Sequence, residues 1–151
     1  MIELISVLSI YVVDWLLEFA GIGGYLLIFL PVLLFFFRKL STPFLLSAAL
    51  ISGLLSEAMH GYYAGTLLAG MGLALFLFQV SERTVDWRSP PVQILGLFFY
   101  GLIVFITRGV LVILGASALV FPSPLSLLVS FCCAVLILML FRKRATLRRQ
   151  Y

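Results

Sequence analysis

Six long apolar runs, separated by short polar segments, make up almost the whole of this chain. They cover residues 2–19, 24–37, 42–59, 64–80, 92–114 and 124–141. A membrane-spanning helix requires about 20 mostly apolar residues, because it rises about 1.5 Å per residue across a hydrocarbon core about 30 Å thick. The pattern therefore predicts an all-α polytopic membrane protein, a bundle of six transmembrane helices.

The basic residues lie at every second gap between these runs. Nine of the ten Lys and Arg residues form three clusters: Arg38 and Lys39; Arg83 and Arg88; and Arg142, Lys143, Arg144, Arg148 and Arg149. The gaps near residues 20–24, 60–64 and 115–123 contain none. Because loops on the cytoplasmic side carry an excess of Lys and Arg, the pattern predicts that both termini are cytoplasmic.

Composition points to the same class of protein. The 151 residues are 64% hydrophobic and 11% charged, whereas soluble domains are roughly half apolar and a quarter charged. The net charge of +4 is accounted for by topology and by contact with anionic lipid headgroups, so nucleic acid is not an expected partner. We expect one transmembrane domain over residues 1–141 and a basic cytoplasmic tail over residues 142–151. No long-period sequence repeat is present.

Four ionisable residues interrupt the predicted spans: Asp14, Glu18, Glu57 and Arg108. Counted from the cytoplasmic end of each helix, all four fall roughly 18–24 Å into the bilayer. A lone charge near the bilayer centre costs about 2.5–3.5 kcal/mol on insertion scales. We therefore predict one intramembrane charge cluster, in which Arg108 pairs with Glu57 and with Asp14 or Glu18. The cluster is interpreted either as a device that holds helices together or as a pocket or docking site.

Catalytic and metal chemistry find little support in the sequence. His60 and Glu57 are too few ligands for a metal site, which requires three or four. Ser56 and Glu57 are neighbours on a helix and point about 100° apart, so they do not converge as a nucleophile and its partner. The adjacent Cys132 and Cys133 lie within an apolar run and are interpreted as packing residues. The sequence thus predicts no enzyme, no cofactor and no metal.

The most specific local pattern places small residues and one acid at intervals of four. It consists of Gly53, Glu57, Gly61 and Gly65, at the end of the third run and the start of the fourth. Small residues at this spacing let helix backbones approach closely. The pattern resembles the "G-x-x-x-D-x-x-x-G-x-x-x-G" motif of the MreD family of rod shape-determining membrane proteins, with Glu in place of the usual Asp. The resemblance extends over about residues 40–110 and is topological elsewhere.

The resemblance implies a non-enzymatic scaffold of the bacterial cell-elongation complex, located in the inner membrane. It also implies binding to an MreC-like bitopic protein and, through that protein, a link between MreB and the peptidoglycan transpeptidase and glycosyltransferase. The implied fold is similar to the substrate-binding subunits of energy-coupling-factor transporters. The alternative from a different class is the substrate-binding membrane subunit of a small-molecule transporter, since intramembrane charges often mark substrate paths.

Overall fold

The protein is all-helical in the residues that the computed structural model describes, which are 2–20, 25–38, 42–60, 65–114 and 123–147. These residues form six helices and no strand. The helices are α1 (Ile2–Phe19), α2 (Leu26–Arg38), α3 (Thr42–His60), α4 (Thr66–Ser81), α5 (Pro90–Leu114) and α6 (Pro124–Leu147). The predicted all-α class is confirmed, and each predicted apolar run corresponds to one helix.

Prolines and serines mark several of the helix boundaries. Pro90 and Pro124 are the first residues of α5 and α6, where the missing N–H of proline costs nothing because no intrahelical acceptor exists for it. The Oγ atom of Ser123 accepts the N–H of Ser126 at 3.1 Å, which is an N-cap for α6. At the other end, α6 continues to Leu147, past the end of the apolar run at residue 141. The end of an apolar run does not end a helix, because Arg, Lys and Ala are good helix formers in water.

The second helix lies at the centre of the bundle. It neighbours all five other helices, while α3, α4, α5 and α6 follow one another around it and α1 packs on it. Residues 25–33 are buried without exception. A helix that is apolar on every face is suited to this position, and the sequence of α2 from Leu26 to Phe37 contains no polar residue.

Close contacts hold α4 against α5 at two levels along the helices. A methyl group at Gly70 on α4 would lie 2.8 Å from the carbonyl oxygen of Val104 on α5, so the two backbones almost touch there. Further along, Trp87 from the α4–α5 connection stacks on Phe78 with ring centroids 4.7 Å apart. The side chain of Gln93 donates to the Trp87 carbonyl oxygen at 2.8 Å. These contacts fix the register of α4 against α5.

Candidate functional site

Asp14 caps the N-terminus of the central helix. It lies on α1 with none of its surface exposed. Its Oδ1 accepts the N–H of Leu26 at 2.6 Å, and its Oδ2 accepts the N–H of Leu27 at 3.3 Å. These are the first two residues of α2, whose N–H groups have no acceptor within the helix. The carboxylate therefore supplies the missing acceptors and faces the positive end of the α2 dipole.

Glu57 performs the same task for the fourth helix. It lies on α3 and is 3% exposed. Its Oε2 accepts the N–H of Gly65 and its Oε1 accepts the N–H of Leu67, both at 2.7 Å. Gly65 is the N-cap residue of α4, and Leu67 is the second residue of that helix. Each oxygen of the buried carboxylate thus accepts one N–H group at the start of the next helix.

The glycine pattern around Glu57 accounts for the shape of the α3–α4 hairpin. A methyl group at Gly53 would lie 3.5 Å from the Cα of Leu68 and 3.3 Å from the sulfur of Met71, so α3 and α4 approach closely there. Gly65 has a φ of +93°, a left-handed conformation that side-chain-bearing residues rarely adopt. Gly61 lies outside the described residues. The pattern therefore encodes a tight hairpin closed by a buried acid.

Arg108 lies at the level of both capped helix ends. It is 3% exposed and has an interaction partner in the chain. Since α4 and α5 are antiparallel and Gly70 meets Val104, one further turn of α5 brings Arg108 level with Thr66, the first residue of α4. On the preceding turn, the ring of Phe105 meets that of Tyr25, just before α2, at 5.8 Å between centroids. We call Asp14, Glu57 and Arg108 the capping layer.

The sequence predicts one charge cluster of Asp14, Glu18, Glu57 and Arg108, and the structure describes backbone N–H groups as partners of two of its acids, Asp14 and Glu57. Both described bonds of the Glu57 carboxylate go to backbone N–H groups, and Arg108 is not one of these donors. The physical reason is that a helix N-terminus offers unpaired donors and a positive dipole at the same depth. Direct pairing of Arg108 with the acids stays a prediction.

Ser130 is a buried polar residue near the start of α2 that the sequence analysis did not predict. It is fully buried on α6, and its Oγ accepts the N–H of Tyr25 at 3.0 Å, which ties α6 to the start of α2. The available signal was the pair Ser126 and Ser130, four residues apart within an apolar run. Such hydroxyls commonly bond across membrane helices.

The remaining predicted residues lie at the edges of the described structure. Glu18 belongs to α1, and Arg142, Lys143 and Arg144 belong to the last part of α6, but their side chains lie outside the described part. Arg148 and Arg149 lie outside the described residues altogether. Where side chains are described, no group of three or more His, Cys, Asp or Glu residues is placed to hold a metal ion.

Comparison with known proteins does not identify a relative: no family model, curated protein or solved structure matches this chain. By length and composition, one helix of the described residues, Pro90–Leu114, could cross a membrane. One such helix does not by itself establish a membrane span, because the core helix of a soluble protein can be equally long and apolar. Of an 18-residue apolar stretch within Pro90–Leu114, 33% is buried inside the protein. Four shorter apolar helices accompany it: Leu26–Phe36, Pro43–Ala58, Thr66–Ser81 and Pro124–Leu140.

Proposed function

We propose that this protein is a multi-pass protein of the bacterial inner membrane and an MreD-like, non-enzymatic scaffold of the cell-elongation complex. In this proposal its helices bind an MreC-like bitopic partner, and both termini face the cytoplasm. The observation that carries the proposal is that Gly53 and Gly65 of the resemblance motif flank the contact between α3 and α4, where the buried Glu57 carboxylate accepts N–H groups at the start of α4.

The distribution of side chains on α3 supports a bilayer as the solvent. Besides Leu45, its inner face carries small and polar residues: Ala49, Ser52, Gly53, Ser56 and Glu57. Its outer face carries Ser47 and, for the most part, large apolar residues: Phe44, Leu46, Leu50, Ile51, Leu54 and Leu55. A surface helix of a soluble protein has the opposite arrangement. Polar residues in membrane helices, in contrast, face the interior of the bundle.

The first and fifth helices also bury an ionisable residue while exposing large apolar ones. On α1, Asp14 is buried while Trp15 and Phe19 are exposed, and on α5, Arg108 is buried while Phe98 is exposed. Large contiguous apolar surfaces are rare on soluble monomers and mark contact with membranes or partner proteins. Together with the basic clusters at alternate connections, this arrangement favours six membrane spans over one.

The chemistry of the capping layer favours a scaffold over a ligand-binding subunit. The carboxylate oxygens of Asp14 and Glu57 already accept backbone N–H groups. A ligand that displaced one of those bonds would forfeit about 1.5–3 kcal/mol, the contribution of a hydrogen bond to a charged group. The layer is therefore better suited to fixing the relative positions of helices than to releasing and binding a solute.

Co-purification from native membranes in a mild detergent, with mass spectrometry of the bound proteins, tests the proposal. We expect recovery of an MreC-like bitopic protein or of the elongation transpeptidase. Because the hairpin depends on the Glu57 carboxylate, Glu57→Gln should lower that recovery about tenfold, equivalent to about 1.4 kcal/mol. The matched control is Glu82→Gln, at an exposed acid in the α4–α5 connection, and it should have no effect.

One outcome would contradict the proposed function, and a second would contradict the role that it gives to Glu57. Recovery of ATPase and transporter-core subunits would identify a solute-binding subunit instead. Equal recovery of the partner with Glu57→Gln and with wild type would show that partner binding does not depend on the Glu57 carboxylate. Cell shape in a strain complemented with each variant provides an independent readout.

A further inference from the structure

The two acids of the capping layer stand in equivalent places. Asp14 is on the outgoing helix of the α1–α2 hairpin, and Glu57 is on the outgoing helix of the α3–α4 hairpin. Each is buried, and each accepts two N–H groups at the start of the returning helix. Both reach the second residue of that helix, which is Leu27 in one hairpin and Leu67 in the other. Both of these leucines are at most 1% exposed.

The third hairpin is built differently. The start of α6 is capped by its own Ser123, and α5 carries Arg108 where the outgoing helices of the other hairpins carry an acid. The sequence does not reveal the equivalence of the first two hairpins. The residue four positions before Asp14 is Ile10, whereas the residue four positions before Glu57 is Gly53. The spacing from the acid to the second capped residue also differs, at 13 and 10 positions.

We infer that α1–α2 and α3–α4 are two copies of one acid-closed hairpin unit, in which Asp14 is the positioning counterpart of Glu57. Asp14 lies outside the residues that carry the family resemblance. Each acid sets the position of one returning helix: Asp14 holds α2, and Glu57 holds α4. Since α2 neighbours all the other helices, Asp14 sets the helix around which the bundle is assembled.

Site-resolved hydrogen exchange in detergent micelles tests this inference without any partner protein. Loss of a charged acceptor exposes only the amides that it capped. Asp14→Asn should therefore accelerate exchange at Leu26 and Leu27 about tenfold or more, and leave Gly65 and Leu67 unchanged. Glu57→Gln should produce the reciprocal result. Asp86→Asn is the matched control, because Asp86 accepts the N–H of Arg88 at an exposed position.

The conservative variants keep the test decisive if the amide variants do not fold. Asp14→Glu and Glu57→Asp retain the charge and displace the carboxylate by one methylene, so each should accelerate exchange at its own two amides by a smaller factor. The inference is overturned if exchange at Leu26 and Leu27 is insensitive to Asp14. It is also overturned if either variant accelerates both helix starts equally, because the layer would then open as a single unit.

The consequence for function rests on the proposed function. If the bundle is the scaffold proposed above, Asp14→Asn should lower partner recovery as Glu57→Gln does. The exchange measurement involves no partner. A failed co-purification would therefore reject the scaffold and leave the paired hairpins standing, whereas a failed exchange test would reject the pairing alone.

Discussion

At the scale of single residues, the energetics of Asp14 and Glu57 explain why an apolar bundle tolerates them. Placing a charge in the middle of a membrane helix costs about 2.5–3.5 kcal/mol on insertion scales. Each carboxylate accepts two backbone N–H groups, and charge-assisted bonds of this kind contribute about 1.5–3 kcal/mol each. Two such bonds match or exceed the insertion cost.

Tyr100 presents the opposite case at the same scale. Its side chain is completely buried on α5 against Phe29 and Phe78, and its hydroxyl has no hydrogen-bond partner in the structure as described. An unsatisfied buried hydroxyl costs about 1–3 kcal/mol. We therefore expect Tyr100→Phe to leave the thermal unfolding midpoint in detergent unchanged or to raise it. Tyr100→Leu, which removes the ring, should lower the midpoint, and a lower midpoint for Tyr100→Phe would reveal a bonded hydroxyl.

At the scale of helices, the contact between α4 and α5 depends on a single missing side chain. The backbones of Gly70 and Val104 are too close for a Cβ atom, whereas a methyl group at Gly72 would meet no atom within 4 Å. The two glycines are two residues apart on the same helix and face different surroundings. This contrast separates the contribution of helix packing from that of helix propensity.

Alanine substitution at these two positions should have opposite effects. Gly70→Ala forces α4 and α5 apart and should destabilise the protein by about 1–3 kcal/mol, as overpacking does. Gly72→Ala gains helix propensity without a clash and should stabilise it by about 0.5–1 kcal/mol. Unfolding midpoints of both variants, measured in one detergent, provide the comparison. Equal effects would indicate that α4 and α5 are not held at this distance.

At the scale of the whole molecule, the three basic clusters predict six membrane spans with both termini in the cytoplasm. A topology reporter fused after Tyr151 should report a cytoplasmic location. A reporter inserted after Tyr62, in a connection without Lys or Arg, should report an extracytoplasmic location. The second insertion serves as the control, because both reporters must give opposite signals in the same membrane. An extracytoplasmic signal at Tyr151 would overturn the proposed six-span arrangement.

The sequence by itself determined the helices, and it singled out Asp14, Glu18, Glu57 and Arg108 as ionisable residues within apolar runs. Long apolar runs predict helices through their length and composition. The predicted run 42–59 and the observed α3 (Thr42–His60) differ by one residue. Asp14, Glu57 and Arg108 stood out because ionisable groups are rare in such runs. Only the tertiary structure decided what these groups bind. The N–H groups that Asp14 and Glu57 accept lie 8–13 positions further along the chain, and they meet the carboxylates only because each hairpin folds back. Residue spacing carries no information about which donor lies across such a turn.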